Sequence, residues 1–147
     1  MKIPFGAVLM VAAVAAGGAR MGAQQEMRTV WDGVYTSEQS TRGKGLYAQT
    51  CANCHGAGLE GIDMSPALTG GAFMSNWNDL TVGDLAERIR TTMPMDRPGT
   101  MTRDEIADVT AFMLEANKFP SGSSALPEQV PAMRQIRILA QKPTASH

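Results

Sequence analysis

Cysteine is almost absent from this chain, with two in 147 residues. Two thiols leave nothing from which to build the disulfide framework that staples many small exported domains. Histidine is equally scarce, at two, and one of them is the terminal His147. A four-ligand zinc site is therefore hard to assemble, as is a catalytic base set apart from other duties. Aromatics are few: four Phe, two Trp and two Tyr. Neither sign of charge dominates, since 13 basic residues face 14 acidic ones for a formal net charge of -1. That balance lacks the basic excess of a nucleic-acid binder. The longest apolar run, Ile3 to Ala16, is shorter than the roughly 20 residues that span a bilayer.

The two cysteines stand together in Cys51-Ala52-Asn53-Cys54-His55. The pattern C-x-x-C-H reads as a covalent haem attachment site. Two intervening residues let one helical turn present both sulfurs to one porphyrin edge, and the adjoining histidine reaches the iron. A thioredoxin-like pair would require a βαβ context, which the surrounding pattern lacks. Zinc would want a fourth ligand. A plain disulfide would leave His55 without a purpose. Methionine, by contrast with cysteine, is abundant at 11, and its flexible thioether suits irregular walls beside a macrocycle.

The chain divides by composition. Residues 1–23 resemble a secretory signal: Lys2, the apolar run, then small residues at Gly17-Gly18-Ala19 and Gly22-Ala23. An uncleaved membrane anchor is the alternative, and no early cysteine offers a lipid attachment point. Residues 24–36 form a polar leader whose Trp31 and Tyr35 are expected to pack on the domain. Ser37 reads as the cap of a first helix over Glu38–Thr50, in which Gly43 and Tyr47 share a face and glycine suggests a close helix crossing. Residues 56–80 show no helical periodicity and read as a loop around a bound group. A second helix opens at Thr81, with Val82, Leu85, Ala86 and Ile89 as its apolar stripe, and stops before Pro94. Thr102–Glu105 matches a capping box for a third helix to about Asn117, with Ile106, Val109, Thr110 and Met113 on one face. Residues 121–147 form a tail in which Met133, Ile136 and Ala140 would share a face of one short helix.

His55 is the expected proximal iron ligand. The sixth position calls for a methionine of the loop between the second and third helices, Met93 with Met95 as the alternative. Pro94 holds Met93 extended and away from its helix. His147 is too terminal to serve. Thioether ligation raises the potential relative to a second imidazole, which suits an electron carrier.

From about Ser37 to Pro120 the chain resembles the class I c-type cytochromes. Gly43 and Tyr47 match the first-helix glycine and aromatic of that fold, Val109 and Phe112 the last-helix positions that cross them, and Cys51, Cys54 and His55 the haem site. Pro66-Ala67-Leu68 resembles the loop whose proline carbonyl accepts from the proximal histidine, and Met93-Pro94 the axial pair. The resemblance implies an all-α fold, three main helices around one haem c with long loops. The leader Trp31-Asp32-Gly33-Val34-Tyr35, with Leu59-Glu60-Gly61, Phe73, Trp77 and Asn117-Lys118-Phe119-Pro120, is similar to periplasmic cytochromes associated with quinoprotein dehydrogenases. Trp77, Asn78 and Arg97 are candidates to meet the haem propionates.

The expected function is that of a periplasmic electron carrier between redox proteins, a dehydrogenase as donor and an oxidase or other acceptor, with no catalytic residues. A haem subunit permanently docked in a dehydrogenase complex is the second reading, and a ligand-binding haem sensor the third.

Overall fold

Threonine opens each of the three long helices. The computed structural model describes residues 27–144; the expected signal segment, the first residues of the leader and His147 lie outside these. The element order is β1 (Arg28–Thr29), a 3-10 turn (Val30–Asp32), α1 (Ser37–Thr50), α2 (Ala52–His55), α3 (Gly70–Trp77), α4 (Val82–Thr92), α5 (Arg103–Ala116), α6 (Val130–Met133) and β2 (Ile136–Arg137). The Thr36, Thr81 and Thr102 hydroxyls accept from the amides of Gln39, Asp84 and Glu105 at 3.2, 3.1 and 3.4 Å. In α4 and α5 the acid returns the bond, as Asp84 accepts from the Thr81 amide and Glu105 from the Thr102 amide. Each such cap contributes about 1 kcal/mol. The first cap is Thr36 and not Ser37, because the Ser37 hydroxyl turns away to Ser121.

α1 and α5 form the central crossing. Gly43 is the contact point: a side-chain carbon there would run into the Asp108 carbonyl and lie 3.0 Å from Phe112 Cβ. One turn on, the Tyr47 and Phe112 rings pack at 5.3 Å. Arg42 spans the same crossing with two bonds to the Asp108 carboxylate, at 2.7 and 2.8 Å. α4 lays Val82, Leu85, Ala86 and Ile89 onto the core, as its spacing predicts.

Two further expectations need correction. Residues 56–80 are not all loop, since Gly70–Trp77 is helical. α3 has no side-chain cap of its own; the Asn117 side chain, 47 residues away, accepts from the Gly70 amide. Fully buried Phe73 packs beside Trp77 four residues on. The tail also differs. Its helix is only Val130–Met133, after which the chain extends so that Ile136–Arg137 pairs in parallel with Arg28–Thr29 of the leader. Met133 and Ile136 are buried, but Ala140 is exposed and beyond the helix. Leader and tail lock together where the Trp31 indole donates to the Leu139 carbonyl at 2.8 Å; separately, the Tyr35 hydroxyl ties the leader to the segment just after α5, donating to the Phe119 carbonyl at 2.6 Å.

Gly43→Ala should lower the denaturant stability by about 1–3 kcal/mol through overpacking. Gly45→Ala, where a side-chain carbon meets nothing within 4 Å, should raise it by about 0.5–1 kcal/mol. Equilibrium urea unfolding of the two variants checks both signs. The Asp84 carboxyl is held below its ordinary value by the Thr81 hydroxyl, then the Thr81 amide, with Arg134 adding to them. A depressed folded-state pKa contributes stability that is intact at neutral pH and lost as pH falls below the ordinary value of 3.8. Acid titration of Asp84→Asn should therefore show a flatter loss of stability in that range than the parent.

Candidate functional site

Cys51 lies at the junction of α1 and α2, where its amide donates to the Tyr47 carbonyl and its own carbonyl accepts from the His55 amide. α2 is one turn long and ends at His55. Gly56 then breaks the helix with a positive φ of 83°, and the Tyr47 hydroxyl donates to its carbonyl at 2.6 Å. This clasp ties the turn holding Cys51, Cys54 and His55 back onto α1. The two sulfurs are unbridged, Cys51 half-buried and Cys54 exposed. Burial first, and the neighbouring Cys54 second, push the Cys51 thiol up to about 11. A thiol-exchange cysteine needs the opposite shift.

His55 is buried, and its Nδ1 lies 2.8 Å from the Pro66 carbonyl. A carbonyl only accepts, so this bond requires the proton on Nδ1 and leaves the Nε2 lone pair available. The loop delivering Pro66 is held at several points. The Gly61 amide donates to the His55 carbonyl at 2.7 Å and the Leu68 amide to the Leu59 carbonyl at 2.8 Å. Asn117, just past α5, grips the same loop, donating to the carbonyls of Leu68 and Met113 while accepting from the Gly70 amide. Asn117 is a positioning residue that the sequence offered only as part of a motif. Glu60 is another: its carboxylate accepts from the Gly58 amide at 2.8 Å, within the turn after His55.

On the α4 side, Met93 ends the helix in extended backbone (φ -119°, ψ 152°), as the residue before a proline should. It is half-buried and packs against the hydrophobic core. Met95 lies in the following turn and is 77% exposed. Trp77, at the end of α3, is also half-buried against the core. Asn78 is engaged by the tail, accepting from the Ala140 amide at 2.8 Å. Arg97 is exposed and pairs with its neighbour Asp96 at 3.2 Å. Among the described residues, no hydrogen bond joins Trp77, Asn78 or Arg97 to the His55–Pro66 pair.

The family model described as cytochrome c oxidase, cbb3-type, subunit III, matches residues 38–113, just over half of the sequence. The chain belongs to this family. The cytochrome is a class I c-type domain with the mainly helical fold of that class, and is an electron-transfer haem protein. No curated protein matches it. Among solved structures, the chain matches the crystal structure of the sulfane dehydrogenase SoxCD from Paracoccus pantotrophus at 24% identity and a TM-score of 0.45. That likeness covers 65% of the cytochrome and 53% of the SoxCD chain, so the cytochrome spans about half its length. The donors present fit a haem: an imidazole with a free Nε2, two unbridged thiols on one turn, and thioethers on the α4 loop.

Asn117→Ala should cost about 1–2 kcal/mol, because the part-buried Leu68 carbonyl and the exposed Gly70 amide both lose their partner. Amide exchange at Gly70 should accelerate in this variant while that of α1 is nearly unchanged, which hydrogen-exchange NMR would read.

Proposed function

We propose that the cytochrome carries single electrons between redox proteins, using one haem c attached through Cys51 and Cys54 and ligated by His55 and Met93. The observation that carries this reading is the 2.8 Å bond between His55 Nδ1 and the Pro66 carbonyl. Donation to a carbonyl fixes the tautomer, orients the ring and raises the basicity of the ligating nitrogen. Bound haem supplies the ferrous–ferric couple, with a potential set by its axial ligands and surroundings. The protein holds the imidazole and thioether in place, and its packed core excludes water. Trp77 and Arg97 are assigned to the propionates in this reading, with Met95 as the alternative thioether.

In this reading the signal-like sequence of residues 1–23 exports the cytochrome to the periplasm, where a dehydrogenase would donate and an oxidase or another carrier would accept. A free carrier is favoured over a permanently docked subunit by one observation. The leader and tail spend their large apolar side chains inside their own domain: Val34, Tyr35, Leu126, Met133, Ile136 and Ile138 are all buried. Those segments hold few such groups back for a partner. The chemistry proposed is transfer of electrons with no substrate turned over.

Optical spectra of the exported protein test this reading. The ferric form should show the weak near-infrared thioether-to-iron charge-transfer band. Met93→Ala should abolish the band and Met95→Ala should preserve it. A wild-type spectrum without the band would remove the methionine ligand and favour an open sixth position.

A further inference from the structure

We infer that the C-terminal segment, residues 126–139, is a positioning element for the sixth ligand: it sets the tilt of α4, whose far end carries Met93. The inference rests on the Met93 ligation proposed above. At the start of α4, Gly83 is buried against α6, and a side-chain carbon there would lie 2.7 Å from the Arg134 amide nitrogen and 2.8 Å from the Val130 carbonyl oxygen. The tail backbone therefore rests directly on the α4 backbone. Polar ties surround this contact. The Asp79 amide donates to the Ile138 carbonyl at 2.9 Å, and the Ile138 amide to the Leu80 carbonyl at 2.8 Å. Arg134 pairs with Asp84 at 3.6 Å and Arg137 with Asp79 at 3.2 Å. Leading into α4, the chain is thus zipped to the tail.

At the other end no comparable zip is formed among the described residues. Beyond Met93 and Pro94, residues 95–100 form an exposed turn closed by the Arg97 amide on the Pro94 carbonyl. The direction of the helix is set by its buried face and by its anchored N-terminus. From Gly83 to Met93 an α-helix rises about 15 Å. A tilt of about 2° at the Gly83 contact moves the far end by about 0.5 Å, the tolerance within which a ligand must be held.

The test uses the haem-loaded cytochrome. Gly83→Ala pushes α6 off α4 without touching the ligand loop. It should keep native helix content and attached haem, yet weaken the near-infrared band and speed carbon monoxide binding to the ferrous form about tenfold. Tyr35→Phe, which loses a buried bond elsewhere, should lower the unfolding midpoint and leave that rate unchanged. Should Gly83→Ala fail to fold, the double variant Arg134→Ala/Arg137→Ala decides, with an increase of about two- to threefold expected from two exposed pairs. Wild-type rates and a full band in the variants that fold would overturn the inference. So would an equal acceleration in Tyr35→Phe, which would mean general loosening. A band that survives Met93→Ala overturns the ligand reading itself and this inference with it.

Discussion

The close crossing of α1 and α5 is the constraint on which the other placements depend. Gly43 lets the two backbones approach where any side chain would strike the Asp108 carbonyl. Tyr47 and Phe112 then interlock one turn further along, and an aromatic pair of this kind adds about 0.5–1.5 kcal/mol to the area it buries. The crossing fixes two ends at once. The C-terminus of α1 presents Cys51, and the C-terminus of α5 presents Asn117. Between them these ends bracket the loop that brings Pro66 to His55. A shift in the crossing would separate the imidazole from its acceptor even with every residue of the motif intact.

The site is consequently held from two independent directions. The attachment turn and the His55 acceptor hang from α1 and α5 through short hydrogen bonds, buried at Tyr47–Gly56 and part-buried at His55–Pro66 and Asn117–Leu68. The Met93 loop hangs from α4, which reaches the core through its apolar stripe and the tail through Gly83. Few of these supports are charged. Arg42–Asp108 is the main ion pair at the crossing, and the Arg42 side chain remains 60% exposed, so its energetic share is small. Packing and backbone hydrogen bonds carry the geometry.

How far the sequence revealed this follows from the range of each signal. The C-x-x-C-H turn, the helix start at Thr81, the capping box at Thr102 and the stripe of α4 are local patterns, and they were legible. Thr36 and Ser37 are adjacent hydroxyl residues, and only the position of Ser121 separates them as caps. α3 was hidden because its N-terminal amide is satisfied by Asn117 and its opening residues are two glycines. The strand at Ile136 was hidden for a similar reason. Its spacing from Met133 and Ala140 fits a helix, and only the leader strand, at the other end of the domain, makes it extended. The acceptor role of Pro66 came from family resemblance, whereas the grip of Asn117 on that loop is formed by partners that no short window contains.

The pairing of leader with tail also orders events in time. Trp31 and Leu139 are 108 residues apart, whereas Tyr47 and Gly56 are separated by only 9. Closing a loop costs entropy that grows with its length, and a chain made from its N-terminus supplies the tail last. The turn bearing both thiols is therefore organised by nearby residues while the leader still waits for its distant strand. Final closure is a latch, thrown once the last strand arrives, on a scaffold whose attachment half is already laid out.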